Sequence, residues 1–432
     1  METVADMNVL YKAFKASMKS SAWKNEPQRF ETDFLSELTA LQDDLTNRTY
    51  KTLPGTEFSL NERGKIRHIH GGRMRDRVVR HALCDAVLNP ALEPYLVYNN
   101  GASQKNKGVS FARERFERDL HNFYLKHRTN DGYVCFVDFS KFYDNIQHEK
   151  LMNSICQKID EHSAWLLREV VDGFKVDVSY MTDKEYADCM NRKFDSIAYF
   201  NAKHEQTGKK YMRKSVDIGD QVSQTIGVFF PTPIDNYATI VRGHRWYGRY
   251  MDDMYIIHHD KKYLLQTLYG IYEKADELGL YINRKKTRLC RLSDTFVYLQ
   301  IKYFLTESGK VVKRINPKAI AREHRKLRAY KRLMDKGIIA YQEIENTYKS
   351  WMGSFASLMS KKQISNMKTL YKSLFGKEPR WKKLSPSYLQ TKRKSQARST
   401  ETTTSQSKTS QQTNSMTLIS SEQQSTDLPW KT

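Results

Sequence analysis

The sequence predicts an α+β fold in which short buried strands carry acidic residues and amphipathic helices surround them. Two apolar runs, residues 134–139 and 248–257, have the length of strands and contain carboxylates at an end or in the middle. Apolar residues at helical spacing are frequent in the rest of the chain. Because a buried carboxylate is unfavourable without a cation or hydrogen-bond donors, these acids indicate a functional site.

Local patterns predict the other elements in chain order. Residues 1–50 have apolar side chains at helical spacing and predict two helices. Alternation over residues 58–69 predicts a β-hairpin, and a helix is predicted at residues 76–88, ending before Pro90. Three further helices are predicted at residues 261–278, 317–336 and 341–374.

The charge balance indicates a polyanionic partner. The chain has 72 Lys and Arg against 49 Asp and Glu, and residues 318–383 alone hold 17 basic against 5 acidic side chains. Nucleic acid is the first candidate and an anionic membrane the second. The chain contains no apolar run of membrane-spanning length and no signal-peptide pattern, which predicts a cytoplasmic protein. Five scattered cysteines without a CxxC pair argue against a disulfide framework and structural zinc.

Three ordered motifs surround the buried acids. They are Val-Asp-Phe-Ser-Lys-Phe-Tyr-Asp-Asn-Ile at residues 137–146, Gly-Asp-Gln-Val-Ser-Gln at 219–224 and Tyr-Met-Asp-Asp at 250–253. In this order and spacing they resemble the palm motifs of reverse transcriptases, and the resemblance extends over residues 49–375. It implies a right-hand polymerase with fingers, palm and thumb, and it implies RNA-directed DNA polymerase activity.

The resemblance also implies a division of the chain into regions. These regions are an N-terminal helical region at residues 1–50, fingers at 51–130, a palm at 131–310 with a possible insertion at 171–215, a basic helical thumb at 311–384 and a disordered tail at 385–432. The tail prediction rests on its composition of Ser, Thr, Gln and Lys, which offers almost no core-forming residues.

Asp138, Asp252 and Asp253 are the predicted catalytic acids and metal ligands. Nucleotidyl transfer uses two Mg²⁺ ions, for which Mn²⁺ can substitute, and carboxylates on adjacent strands can bridge both. The resemblance adds the carbonyl of Phe139 as a further ligand. For a lone Asp-Asp pair, a salt-bridging or helix-capping role is the commoner alternative, and the flanking motifs favour the metal site here.

Other residues are assigned to the incoming nucleotide by the resemblance. Tyr143 stands where the family has an aromatic residue that excludes a ribose 2′-hydroxyl, and the alternative is a packing role. Lys65 and Arg67 resemble the basic strand that grips the triphosphate, and the alternative is a solvated hairpin face. The second motif adds three residues to this pocket: Ile218, Gly219 and Gln224.

Template and primer contacts are predicted for four basic residues: Arg75, Arg77, Arg80 and Lys286. The three arginines match a finger element that faces the template backbone. Lys286 follows the catalytic loop, where a lysine of the family assists departure of pyrophosphate. The implied partners are template RNA, the RNA–DNA hybrid and deoxynucleoside triphosphates (dNTPs), and no membrane.

Two departures from the family pattern bear on the biological role. Ile218 stands where many reverse transcriptases have a glutamine, a form that resembles the enzymes of diversity-generating retroelements and defence-associated relatives. In the former it accompanies miscopying of template adenines. Gln300 stands where glycine is common after the third motif, which argues against the usual tight hairpin.

Three functions are open on the sequence. The first is a reverse transcriptase of a diversity-generating or prophage retroelement, with a small basic accessory protein and a structured template RNA as partners. The second is an antiphage defence enzyme that uses a dedicated non-coding RNA or works without a template. The third is a nucleic-acid-binding protein that has lost activity, which the intact acids argue against.

Overall fold

The computed structural model describes two compact units of the chain. The described residues are 3–19, 21–62, 65–195 and 207–381, and the side chains of Glu57, Glu62, Lys65 and His68 are outside the description. The units divide between Asn316 and Pro317. The predicted tail at 385–432 lies outside the described residues, and the predicted subdomain limits stay a prediction. Within the described residues, no helix is both long and apolar enough to cross a membrane.

Helices and antiparallel sheets build the first unit. Its helices are α1 (Met7–Met18), α2 (Asn25–Thr32), α3 (Phe34–Thr46), α4 (Met74–Leu83), α5 (Asn89–Leu92), α6 (Val109–His127), α7 (His148–Ile155), α8 (Glu161–Asp172), α9 (Asp183–Asn191), α10 (Gln221–Phe229), α11 (Thr232–Asn236) and α12 (Lys261–Leu278). Its strands are β1 (Thr56–Glu62), β2 (Lys65–Gly71), β3 (Tyr133–Asp138), β4 (Val176–Asp177), β5 (Tyr211–Met212), β6 (Tyr247–Tyr250), β7 (Asp253–His258), β8 (Arg288–Arg291), β9 (Phe296–Tyr298), β10 (Ile301–Leu305) and β11 (Val311–Ile315). The predicted α+β, polymerase-like fold is confirmed.

The central sheet carries the acidic residues. Its four antiparallel strands lie in the order β6-β7-β3-β8. Strands β9, β10 and β11 form a three-stranded sheet in the order β11-β10-β9, while β1 with β2 and β4 with β5 form two-stranded sheets. The predicted hairpin is therefore the β1–β2 pair.

Both faces of the central sheet are covered, which explains why β3 and β7 are apolar between their ends. On one face, Cys135 and Val137 join the main hydrophobic core together with Ile226 of α10. On the other face, Phe136 packs against Phe116 of α6, with 6.0 Å between the ring centroids. The two layers of packing fix the sheet, and with it the strand ends that carry carboxylates.

Two predicted helical regions differ in detail. Residues 1–50 form three helices instead of two, because Asp33 leaves helical geometry with φ −125° and ψ 36°. The helix predicted to end before Pro90 continues through a π-helical turn, Cys84–Leu88, into α5. Pro90 is in the first turn of α5, directly after the π-helical turn.

The described part of the second unit, residues 317–381, contains three α-helices: α13 (Pro317–Asp335), α14 (Tyr341–Phe355) and α15 (Lys361–Phe375). Leu327, Ile344 and Tyr348 are among the residues of its buried core. The single helix predicted at 341–374 is two helices, because Ser360 and Gln363 form a reciprocal capping box that starts α15. This Ser-x-x-Gln pattern is visible in the sequence.

Candidate active site

Three aspartates come together where β3, β6 and β7 end or begin. Asp138 is the last residue of β3 and lies opposite Asp253, the first residue of β7. Asp252 precedes it in the turn after β6, where Met251 has a φ of +54°. Strand pairing therefore brings the three predicted acids together from positions more than 110 residues apart.

The acids oppose one another's ionisation. Burial raises the pKa of Asp253 to about 7, with further contributions from the charges of Asp252 and Asp138. The pKa of Asp252 is also raised, first by burial and then by Asp138. A cation placed among these carboxylates offsets both effects, and oxygen ligands of this kind suit Mg²⁺. The chemistry of the three side chains therefore fits a divalent ion.

Lys286 supplies a positive charge to this site. Its Nζ lies 2.6 Å from Oδ1 and 2.8 Å from Oδ2 of Asp138. The backbone N–H of Asn283 donates to the carbonyl of Asp138 at 2.7 Å, which holds the Lys286 loop against β3. Among the described residues, no group of three or more His, Cys, Asp or Glu side chains is arranged as a ready metal site. The ammonium occupies the Asp138 oxygens that a divalent ion would use.

A cleft of about 1050 Å³ adjoins the acids. The sequence-predicted residues that line it are Arg67, Phe139, Tyr143, Ile218, Gly219, Gln224, Asp252, Asp253 and Lys286. Asp138 is buried at its edge, and the backbone of Lys65 lies on β2 two residues from Arg67. The structure thus brings most of the residues predicted for nucleotide and metal contacts to one cavity.

Tyr143 packs closely against α10. Its hydroxyl lies 3.8 Å from the sulfur of Met251. A Cβ atom at Gly227 would stand 2.9 Å from the same hydroxyl, so glycine makes room for the ring. Burial, followed by the charge of Asp252, raises the pKa of Tyr143 to about 12, which keeps the phenol neutral at pH 7. Sequence reasoning missed Gly227, because a close approach between distant segments leaves no local signal.

The loop before α10 is held at both ends. Asp220 accepts hydrogen bonds from two backbone N–H groups of the first turn of α10, at 2.8 and 3.4 Å. Asp217 lies 3.2 Å from Nδ1 of His70 on β2. Between them Gly219 has a φ of +102°, which glycine adopts without a steric penalty. These contacts present Ile218 to the cleft.

The three arginines predicted to face the template have partners within the protein. Arg80 is buried and donates to Asp220 at 2.7 Å. Arg75 is paired with the carboxylate of Asp44, and Arg77 donates to a backbone carbonyl of α1 at 2.6 Å. Their guanidinium groups connect α4 to its neighbours, and the predicted template contacts stay a prediction.

A buried ion pair lies behind the Tyr-Met-Asp-Asp turn, and no motif indicated it. Arg249 and Asp235 are fully buried and make two hydrogen bonds, at 2.8 and 2.7 Å. Arg249 also donates to the carbonyls of Met251 at 3.1 Å and Val228 at 2.7 Å. A buried charge persists only when it is paired and hydrogen-bonded, so this cluster fixes the turn to α10. A lone arginine within an apolar strand was the available signal.

The turn between β9 and β10 is a tight hairpin without glycine. Tyr298 pairs with Ile301, and the two turn residues Leu299 and Gln300 have φ values of +42° and +72°. Arg113 of α6 donates through Nε and Nη2 to the carbonyl of Leu299, at 3.2 and 2.6 Å. The expectation that Gln300 prevents a tight hairpin is therefore wrong. A tertiary contact holds a conformation that costs about 1–2 kcal/mol per non-glycine residue.

Comparison with known families agrees with this geometry. The family model for reverse transcriptase (RNA-dependent DNA polymerase) matches residues 61–303, more than half of the chain, and the match includes all three aspartates. No curated protein matches the chain. The chain therefore belongs to the reverse transcriptase family and is an RNA-directed DNA polymerase, a nucleotidyltransferase that binds template nucleic acid and dNTPs.

Proposed function

We propose that this polymerase copies a template RNA into cDNA by two-metal nucleotidyl transfer and serves a diversity-generating or prophage retroelement. The observation that carries the catalytic part is the pairing of Asp138 with Asp253 at adjacent strand ends, with Asp252 in the preceding turn. The raised pKa of Asp253, caused by burial and by the other two acids, supports a role in holding cations.

Asp138, Asp252, Asp253 and the carbonyl of Phe139 would hold two Mg²⁺ ions, or Mn²⁺ in their place. Bound ions lower the pKa of the primer 3′-hydroxyl and neutralise the triphosphate. The paired strands and the Arg249 cluster hold these four ligand groups at fixed positions. Lys286 adds a positive charge next to the same acids and supports departure of pyrophosphate.

The incoming dNTP occupies the adjoining cleft in this proposal. Lys65 and Arg67 bind its phosphates from the β1–β2 hairpin. Tyr143 excludes a 2′-hydroxyl because its ring packs against Gly227 and has no room to move toward α10. Gly219 and Gln224 complete the wall of the pocket, where Gln224 accepts a hydrogen bond from the Ser103 hydroxyl at 3.3 Å.

The template lies along the basic element that contains Arg75, Arg77 and Arg80. Since these guanidinium groups already pair within the protein, they act on the template chiefly by holding α4 and the loop before α10 in place. The excess of basic residues on the second unit adds sequence-independent affinity for the phosphates of the RNA–DNA hybrid.

Ile218 is consistent with the diversity-generating role, in which this form accompanies miscopying of template adenines, and the same form occurs in defence-associated relatives. Its apolar side chain lines the cleft at a position where the family commonly has an amide. The loss of a hydrogen-bonding group there weakens discrimination between correct and incorrect base pairs. A small basic accessory protein and a structured template RNA are the partners that this role implies.

The test is primer extension by the purified protein on a defined RNA template with Mg²⁺, followed by sequencing of the products. We expect DNA with errors concentrated opposite template adenines. Asp252→Ala and Asp253→Ala should each abolish synthesis while RNA binding persists. A faithful or template-independent product would instead support the defence role, and synthesis retained by both alanine variants would refute the assignment of the acids.

A further inference from the structure

Within the segment between the first and second motifs, the described residues 176–195 and 207–212 form a small body with its own hydrophobic cluster. Strands β4 and β5 pair, and α9 begins with a capping box between Thr182 and Glu185. Val176, Phe194 and Met212 are buried together in a separate hydrophobic cluster. The part of this body that contacts the active-site loop is the end of α9 with the residues that follow it, here named the brace segment (residues 189–195).

Asn145 connects the brace segment to the first-motif loop (residues 139–147). Its side chain is fully buried. The amide oxygen accepts from the N–H of Phe194 at 2.8 Å, and the amide nitrogen donates to the carbonyl of the same residue at 3.2 Å. The nitrogen also donates to the carbonyl of Lys141 at 2.8 Å. One side chain thus ties the two segments together as a strand partner would.

A second contact joins the same two segments. The ammonium of Lys141 lies 2.7 Å from the carboxylate of Asp195. Lys141 lines the cleft and has a φ of +52°, a conformation that is unfavourable for a side chain with a Cβ atom. Contacts from other residues must therefore stabilise this conformation of Lys141. Asn145 donates to its carbonyl, and Asp195 pairs with its ammonium.

The brace segment is itself anchored to the palm. Buried Lys214 donates to the carbonyls of Cys189, Met190 and Arg192, at 3.0, 3.2 and 2.6 Å. These are carbonyls at the end of α9, where positive charge is favourable. Asn191 accepts from the hydroxyl of Tyr281 at 3.0 Å, next to the Lys286 loop. The segment therefore contacts both Lys214, which follows β5, and Tyr281, which precedes the Lys286 loop.

The loop that is braced carries the residues on which nucleotide selection depends. Tyr143 and Asp144 lie in a single 3₁₀ turn between Lys141 and Asn145. The later half of the loop is also held by backbone hydrogen bonds from Ser215 and Val216. In its earlier half, the N–H of Ser140 donates to the carbonyl of Tyr281 at 2.6 Å, and from Lys141 onward Asn145 and Asp195 hold the loop. A shift there moves Tyr143 relative to the bound nucleotide.

We propose that the brace segment is a functional part of the polymerase site, with Asn145 as a positioning residue that sets dNTP affinity and discrimination against ribonucleotides. The inference rests on the proposed role of Tyr143 as the ribose gate. It assigns a role to the insertion that the motifs alone leave unexplained.

The experiment compares Asn145→Ala, Asp195→Asn and Asp183→Asn with the parent chain at a temperature below all melting transitions. Asp183→Asn is the matched control, because Asp183 pairs with Lys210 within the same body and away from the loop. The measured quantities are kcat and KM for dNTP and the ratio of kcat/KM for dNTP to that for the matching ribonucleotide.

Asn145→Ala should lower kcat/KM for dNTP about 10-fold, mainly through KM, and lower the discrimination ratio by a similar factor. Asp195→Asn should shift both quantities in the same direction by about threefold, since it breaks an ion pair that is partly exposed. Asp183→Asn should match the parent chain. If Asn145→Ala does not fold, the proposal is tested by KM for dNTP and the discrimination ratio of Asp195→Asn.

Unchanged KM and discrimination in the folded variants would overturn the inference. A loss of kcat alone, with KM and discrimination preserved, would also overturn it, because general destabilisation predicts that pattern. Tyr143→Ala is measured in parallel. If this variant leaves the dNTP-to-ribonucleotide discrimination ratio unchanged, Tyr143 is not the ribose gate. The role of the brace segment is then tested by KM for dNTP alone.

Discussion

The ammonium of Lys286 lies within hydrogen-bonding distance of both carboxylate oxygens of Asp138, at 2.6 and 2.8 Å. The two residues are 148 positions apart, and the bridge between Phe139 and Ile282 brings their segments together. One of the three carboxylates is thus paired with a cation of the chain before any ion binds. A divalent ion and this ammonium compete for the same oxygens.

Lys286→Ala should therefore bind Mg²⁺ more tightly than the parent chain. We expect the Mg²⁺ concentration for half-maximal thermal stabilisation to fall about threefold, a modest change because the ammonium is half exposed. Turnover should fall at the same time, because the positive charge near the leaving group is lost. Lys285→Ala, an exposed neighbour with the same charge change, is the control. If the two variants need the same Mg²⁺ concentration for half-maximal stabilisation, the Lys286 ammonium does not compete with Mg²⁺ for Asp138.

Tyr143→Ala should admit ribonucleotides. Removal of the ring opens the space that a 2′-hydroxyl needs, and we expect the preference for dNTPs to fall by at least about 10-fold. Tyr143→Phe is the matched control, since it keeps the ring and loses only the hydroxyl near Met251. It should retain the preference. Loss of selectivity in the phenylalanine variant would show that the hydroxyl, and not the bulk of the ring, does the selecting.

Gln300→Gly should stabilise the protein. Gln300 has a φ of +72°, and glycine relieves a strain of about 1 kcal/mol at such a position. Thermal unfolding followed by circular dichroism measures the change. Gln266→Gly, on the exposed face of α12, removes the same side chain from a helix and should destabilise by about 1 kcal/mol. A decrease in melting temperature for both variants would mean that the Gln300 side chain contributes more than its strain costs.

Asp119 should make stability depend on pH. Burial raises its pKa to about 6, against the effects of a hydrogen bond from Tyr255 and nearby arginines. Because the folded pKa lies above the unfolded value, the folded state binds more protons between these values, and stability falls as pH rises through about 4 to 6. Asp119→Asn removes this pH-dependent loss of stability. The melting temperature of the variant minus that of the parent chain should therefore increase from pH 5 to pH 7.5.

The control for Asp119 is Glu114→Gln, which removes an exposed carboxylate from the same helix. Its melting temperature should follow that of the parent chain at both pH values. A difference between Asp119→Asn and the parent chain that is the same at pH 5 and pH 7.5 would exclude Asp119 as the source of the pH dependence.

Local patterns in the sequence predicted the elements that carry the chemistry. The bounds of α12, residues 261–278, agree with the prediction because Asp260 caps its start and Gly279 adopts φ +72° after its end. The strand with Asp138 was predicted from its apolar run, whereas residues 248–257, predicted as one buried strand, form β6 and β7 with a turn at Met251 and Asp252 between them. These signals are local: each depends on residues within one turn or one strand.

The sequence by itself determined which acids and which nucleotide-pocket residues are present, and in which kind of element. The tertiary structure alone decided their partners: Lys286 for Asp138, Asp235 for Arg249, Arg113 for the strained turn at Leu299, and Asn145 for the brace segment. Each of these contacts joins a side chain to a side chain or backbone group in a separate segment. Hydrogen bonds and ion pairs act over about 3 Å in space whatever the separation along the chain, so no periodicity or spacing records them.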